Sequence, residues 1–284
     1  INSSGKNKPQ YKSNLQSELT SAYMFNASLP FIKKTKETFN TLEPKLSFRF
    51  SPHDMKNHNK LERRVDINNI YNINRLGIDN SYESGESLTV GLDYKKEKVD
   101  MKSEIEEIED YLEFKLAMIL RNKNENHIPK NSTLNKKQSN IFGQFNYKPK
   151  ENILLNYDFA IDNDLNAFEY NSISAKVEFD NFSSQMSFLE EVGLVSQANV
   201  IENISTYNFN EENILSFKIR RNRKINLTEY YNLLYEYKND CLIAGIQYKK
   251  NYYNDADIKP VEELFFTITI VPLTTFSPDK MALN

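Results

Sequence analysis

Residues 152–162 read Asn-Ile-Leu-Leu-Asn-Tyr-Asp-Phe-Ala-Ile-Asp, and their chemistry alternates with a period of two. Ile153, Leu155, Tyr157, Phe159 and Ile161 share one face of an extended strand, and Asn152, Asn156, Asp158 and Asp162 share the other. The pattern recurs, hairpin after hairpin, to the C-terminus. The second face is too polar for the core of a sandwich. A sheet of this kind is expected to close on itself around water while its apolar face meets lipid.

The alternation locates the strands. A long extended segment is expected from about Ser17 to Lys34, and Leu46, Phe48 and Phe50 then alternate with Ser47 and Arg49. Leu88, Val90, Leu92 and Tyr94 oppose Thr89, Gly91, Asp93 and Lys95. Leu112 to Leu120 oppose Glu113, Lys115 and Arg121, and Ile141, Phe145 and Tyr147 oppose Gln144 and Asn146. After the strand at 152, Ile173 to Phe179 alternate with Ser172, Ser174, Lys176 and Glu178. Residues 183–209 alternate less cleanly and are assigned two strands. Leu215, Phe217 and Ile219 follow, then Ile225, Leu227, Tyr231, Leu233, Tyr235 and Tyr237 against Lys224, Asn226, Thr228, Asn232 and Glu236. Leu242 to Tyr248 and Leu264 to Ile270 close the series. That makes about thirteen strands, many near the 9–11 residues that a tilted strand needs to cross a bilayer.

Connections sort by length. Residues 148–151, 180–182, 210–212 and 238–240 are tight turns of Pro, Asn, Asp and Lys. Residues 51–86, 122–137 and 253–261 are long. Counted back from the C-terminus, the tight turns fall on one end of the sheet and the long loops on the other. Residues 98–109 share the tight-turn end. Within them, Glu104 to Asp110 fits either a short amphipathic helical turn or a solvated hairpin extension. Short periplasmic turns and long outer loops are the outer-membrane arrangement. Tyr94, Tyr147, Phe179, Tyr237, Tyr248 and Tyr252 lie near strand ends, as aromatic girdles would, although aromatics favour strands in any case.

Composition agrees. No run of about 18 apolar residues is present, so no transmembrane helix is expected, but an alternating strand averages out in hydropathy. Seventeen Tyr and eighteen Phe argue against disorder. A net charge of -3 offers nothing to nucleic acid. The chain opens on Ile1 and no signal-peptide pattern follows, which suggests a fragment or a processed form. The lone cysteine, Cys241, has no partner within the chain; it reads as a small strand residue, a free thiol or half of a bridge to a segment elsewhere.

Little points to catalysis. His53, His58 and His127 lack metal-ligand spacing, and with seven glycines no phosphate loop is expected. No Gly-x-Ser-x-Gly elbow or Ser-His or Asp-His constellation is evident. Arg220, Arg221, Arg223 and Lys224 form a basic turn on the long-loop end. It reads as a solvated turn or, if that end faces outward, as a contact for lipopolysaccharide phosphates.

Several segments together resemble a known family. Leu42-Glu43-Pro44-Lys45 resembles a Leu-Glu-Pro-Arg element of LptD, the lipopolysaccharide-assembly or organic solvent tolerance family. Asn74-Arg75-Leu76-Gly77, Asp79-Asn80, Glu83-Ser84-Gly85 and Gly91 resemble its next loop and strand start. Ile128-Pro129 and Ser139-Asn140-Ile141-Phe142-Gly143 resemble the following loop and strand entry. Tyr237 to Cys241, Tyr248 to Tyr253, Lys259-Pro260 and Leu264-Phe265-Phe266 to Pro272-Leu273 resemble the last hairpin. Lys45 departs from the usual Arg, and Leu76-Gly77-Ile78 is a degenerate version of its element.

The resemblance implies an all-β, antiparallel up-and-down transmembrane β-barrel of outer-membrane type. Residues 1–284 would be its C-terminal portion, with 51–86 and 122–137 as long extracellular loops. A signal peptide, a periplasmic jelly-roll domain and the first barrel strands would lie outside the chain. It implies a non-enzymatic translocon component that inserts lipopolysaccharide into the outer leaflet of a Gram-negative outer membrane and needs no cofactor. Its implied partners are lipopolysaccharide, outer-membrane lipid, an LptE-like lipoprotein plug and an LptA-like periplasmic bridge. Cys241 would form a disulfide with the N-terminal region. Glu263, Leu264, Phe265, Phe266, Thr267, Ile268, Thr269, Ile270 and Val271 would form one lip of a lateral gate. The alternation alone also fits another outer-membrane barrel, a porin or receptor, or a soluble secreted β-protein that binds a ligand through long loops.

Overall fold

The computed structural model describes residues 20–79, 81–100, 107–192, 197–252, 260–270, 274–276 and 281–282. Among them the chain forms strand after strand, with a single 3-10 turn at Lys130–Ser132 and no α-helix. In chain order the strands are β1 (Tyr23–Ser28), β2 (Phe31–Lys34), β3 (Thr38–Ser51), β4 (Gly85–Asp100) and β5 (Glu107–Arg121). Next come β6 (Ile141–Lys150), β7 (Ile153–Ile161), β8 (Phe168–Glu178), β9 (Phe182–Val192), β10 (Gln197–Asn208) and β11 (Asn213–Asn222). The last are β12 (Leu227–Lys238), β13 (Leu242–Asn251), β14 (Val261–Ile270), β15 (Thr274–Phe276) and β16 (Met281–Ala282).

The strand order runs β1-β3-β4 and then strictly in sequence to β15, with β2 also on β3 and β16 also on β14. This is the expected all-β, up-and-down antiparallel sheet. The weak stretch 183–209 holds the two strands assigned to it. The segment expected as one strand from Ser17 is instead broken, and residues 17–19 lie outside the described residues. β1 pairs with Lys45–Phe50 and β2 with Phe39–Leu42. Pro30 and Pro44 fall at the break, where neither offers an N–H to a ladder, and the Leu29 N–H donates to the Pro44 carbonyl at 3.2 Å. Of the acidic run, residues 107–110 are strand, so the helical alternative fails there; 101–106 lie outside the described residues.

The chain divides into two compact units. The first joins residues 1–29, 44–91 and 117–140. Its loops, 52–84 and 122–140, correspond to the connections read from the sequence only as long, 51–86 and 122–137. They share an apolar core of Met55, Val65, Ile67, Ile70, Leu76 and Ile78 with Ile119, Ile128 and Leu134, all buried. The His58 N–H donates to the His127 carbonyl at 2.8 Å, which joins one loop to the other. Asp66 Oδ1 accepts from the N–H groups of Asn68 and Asn69, a side-chain turn that needs no regular element. The apolar residues follow neither a 2.0 nor a 3.6 period, so no periodic signal marked them.

The second unit joins 30–43, 92–116 and 141–284. Its register puts like with like. Leu155 faces Ala175 and Ala175 faces Met186, while Asn156 faces Ser174 and Ser174 faces Ser187. At Gly143 on β6 a Cβ would come within 2.1 Å of the Phe159 ring, so the ring occupies the space above the glycine. One assignment is corrected. Between β11 and β12 the register shifts: Arg220 faces Tyr230, but Arg221 faces Thr228 and Asn222 faces Leu227. Glu229 is the extra residue of a bulge. It moves Thr228 to the face expected for Leu227, and Leu227 to the other, because a one-residue slip inverts alternation. Ile225 lies in the turn before β12, where Asn226 has φ 52°.

Burial is the reverse of a water-soluble sheet. On β3, Leu46 and Phe48 are 49% and 48% exposed, whereas Ser47 and Arg49 are 2% and 1% exposed. On β4, Leu88 and Val90 are exposed and Ser87 and Thr89 are buried. In the second unit Ile173, Met186, Phe217, Leu233, Tyr235, Ile246, Phe266 and Ile268 are all exposed. They all lie on the apolar face that the register defines.

Candidate functional site

Arg49 and Arg121 are polar-face residues near the ends of strands that lead into the two long loops. Within the first unit they converge on Glu83, together with Arg75 from loop 52–84. Arg75 grips the Glu83 carboxylate with two N–H groups, at 2.7 and 2.8 Å. It also donates to Ser87 Oγ at 2.8 Å and to Thr89 Oγ1 at 3.1 Å. Arg121 donates to the same carboxylate and to the Ser84 carbonyl. Arg49 donates to the Glu83 carbonyl at 2.7 Å and to the Ile73 carbonyl at 3.1 Å. All four charged side chains are at most 2% exposed.

Burial alone would push the Glu83 carboxyl up. The charge and hydrogen bonds of Arg75, followed by the charges of Arg121 and Arg49, outweigh that and hold it below the ordinary carboxylate range. Three guanidinium groups share one buried carboxylate, and Arg49 Nη2 and Arg121 Nε have no hydrogen-bond partner among the described residues. Ser84 Oγ donates to Glu125 at 2.9 Å, which adds a second carboxylate at the margin. Bidentate arginine contacts fix direction as well as charge. The arrangement ties loop 52–84 to β3, β4 and β5. It holds no nucleophile beside a base, and among the described residues no His, Cys, Asp and Glu group could hold a metal ion.

On the polar face of the second unit, hydrogen bonds cross from strand to strand. Gln144 donates to Asp158 at 2.8 Å, Asn146 to Glu113 at 2.9 Å, and Gln247 to Asn232 at 2.9 Å. Glu202 accepts from Tyr230 at 2.7 Å and pairs with Lys218 at 3.5 Å. The opposite face also carries polar clusters, and one of them joins Ser184, Asn203 and Ser205. Its members bond to one another at 2.9–3.0 Å. This cluster is why 183–209 alternate poorly.

The basic turn does not stay together. Arg220, on the polar face, pairs with Glu229 at 2.7 Å. Arg221 lies on the apolar face and donates to Asn226 Oδ1 at 2.5 Å. Arg223 holds its guanidinium 5.7 Å from the Phe188 ring. The Lys224 N–H donates to Asn222 Oδ1 at 3.1 Å. Cys241 is exposed in the tight turn after β12, where Asn239 Oδ1 accepts its N–H at 3.0 Å. Glu263 to Ile270 lie in β14; β15 pairs with Ile268–Ile270 and β16 with Glu263 and Leu264. Val271 lies outside the described residues.

The family resemblance marked Arg75 and Glu83 as motif residues, but nothing in the sequence announced their pairing, because both sit in a loop without periodicity. The positions of Arg49 and Arg121, each the last charge before a long loop, were the available hint.

Comparison with known proteins adds the family. No curated protein matches the chain. Among solved structures, two mutants of the Rhodopseudomonas blastica porin align at 7% identity and a TM-score of 0.31, a likeness too low to bear on the fold. One alignment covers 88% of this chain and 94% of that one, and the other 93% and 98%. The model of the family described as LPS transport system D matches residues 2–211, most of the chain and all of the buried arginine cluster. The chain belongs to the LptD family, LPS transport system D.

Proposed function

We propose that the chain forms part of the wall of an outer-membrane barrel that inserts lipopolysaccharide into the outer leaflet. The observation that carries this reading is the reversed burial: exposed apolar side chains on one face, and hydrogen-bonded polar side chains on the other. In water such a sheet leaves its exposed apolar side chains uncovered, and extended exposed apolar patches mark interaction or membrane surfaces. In a bilayer the same face is solvated by acyl chains, and the polar face lines a wet lumen. Family membership supplies the cargo class.

In this reading the long-loop end faces outward and the tight turns face the periplasm. Loops 52–84 and 122–140 fold together within the first unit. Asp158, Lys176, Glu178, Lys218 and Glu236 meet an LptE-like plug or the saccharide of the cargo, and no cofactor is used. β14 serves as a gate strand and Cys241 as the site of a bridge to an N-terminal region; both lie beyond the family match and rest on the sequence resemblance. Depleting the whole protein in its own bacterium tests the function. Newly made lipopolysaccharide is expected to stop reaching the cell surface. Unchanged surface delivery, or an open ion-conducting pore in the purified protein with its plug, would favour a porin-like role instead.

A further inference from the structure

The two faces divide the cations at the long-loop end. Arg220 points into the polar face with Glu229, but Arg221, Arg223 and Lys250 belong to the apolar side. Arg221 faces Ile201 across β10, and Ile201 faces Phe188. Lys250 faces Tyr231, which faces Ile219. The Lys250 ammonium lies 5.4 Å from the Tyr252 ring, and Tyr252 meets Tyr231 edge to face at 5.7 Å. Cations held over aromatic rings at one edge of an apolar band are what a membrane interface selects.

We infer that Arg221, Arg223 and Lys250 form a bilayer-side site for the phosphorylated headgroup of an anionic glycolipid in the outer leaflet. This inference rests on the orientation proposed above. The site would hold a lipid beside the wall, separate from cargo that passes along the polar face. Arg221 and Arg223 are exposed and present planar donor arrays suited to phosphate oxygens. Lys250 lies two strands away and two residues along, so its backbone is about 12 Å from that of Arg221 by strand geometry. That spacing suits a headgroup carrying two phosphates better than one carrying a single phosphate.

Among the described residues two carboxylates share this rim, Glu190 and Glu262, and both are occupied. Glu190 accepts from Asn171 at 3.3 Å and Asn199 at 3.0 Å. Glu262 accepts from Tyr248 at 2.7 Å and pairs with Lys250 at 3.1 Å. Lys250 therefore has its charge partly balanced, and the two arginines carry the main attraction.

The test uses the full-length protein with its partner in phosphatidylcholine nanodiscs doped with lipid A or with dephosphorylated lipid A. Lipid retained after detergent exchange is counted by native mass spectrometry. The parent is expected to retain phosphorylated lipid A preferentially. Arg221→Ala with Arg223→Ala is expected to weaken retention about tenfold, Lys250→Ala less, and Arg220→Ala not at all. Arg221→Lys with Arg223→Lys should keep most of it, which guards against a folding defect. Equal retention of both lipids, or equal loss in Arg220→Ala, would overturn the site. A protein that enters nanodiscs but shows no phosphate preference defeats this inference alone; one that does not enter them defeats the orientation beneath it.

Discussion

Glu83 is outnumbered three to one by buried arginines, and that imbalance makes it the residue on which the first unit most depends. Removing one partner of a buried ion pair leaves an uncompensated charge and costs about 3–5 kcal/mol. Glu83→Gln is therefore expected to release loops 52–84 and 122–140, read as lost hydrogen-exchange protection at neutral pH. Protection equal to the parent would contradict the assignment. The same carboxyl sets a pH dependence. Its folded value lies below the ordinary 4.5, so its contribution is complete above 4.5 and is lost only as pH falls through the lower folded value. Protection of both loops should thus be the same at neutral pH and just above 4.5, and fall on stronger acidification. At Gly143, a valine would drive its side chain into the Phe159 ring, and overpacking of this kind costs about 1–3 kcal/mol. Gly143→Val should lower the unfolding midpoint, and Phe159→Ala should relieve part of the loss.

The strands themselves were largely legible, because a period of two survives in any sheet with one apolar and one polar face. The strand at Ile153 to Ile161 appears with those boundaries. What escaped notice lies where a single residue breaks the period. Glu229 inserts a bulge and exchanges the faces of Leu227 and Thr228, and nothing in their identities reveals it. Pro30 divides a strand that reads as continuous. Loop 52–84 packs on residues without a repeat, and its glutamate meets arginines more than thirty positions distant, contacts that no local pattern encodes. Beyond the bulge the inside and outside positions of β12 are fixed by its pairing with β11 and β13. Leu233→Arg, on the apolar face at mid-strand, should cost about 2–4 kcal/mol of barrel stability. Asn232→Arg, its neighbour on the polar face, should cost far less. Heat-modifiability on electrophoresis and urea unfolding in lipid would show the difference, and equal effects would refute the assignment of faces.

At the scale of the whole molecule, the two units divide the work by chemistry. One packs long loops around an apolar core and locks them to three strands with buried arginines. The other is a sheet with few buried apolar residues among those described, Phe142, Ala160 and Val200, and with an exposed apolar face that favours an apolar solvent. In the proposed function lipid is that solvent, and export depends on it. Spectroscopic labels placed one at a time at residues 231–236 of β12, in the full-length protein reconstituted in bilayers, address this most directly. Strict alternation is expected: quenching by bilayer-resident agents at Tyr231, Leu233 and Tyr235, and by aqueous agents at Asn232, Leu234 and Glu236. Aqueous access at all six positions, or the opposite phase, would rule out a lipid-facing wall.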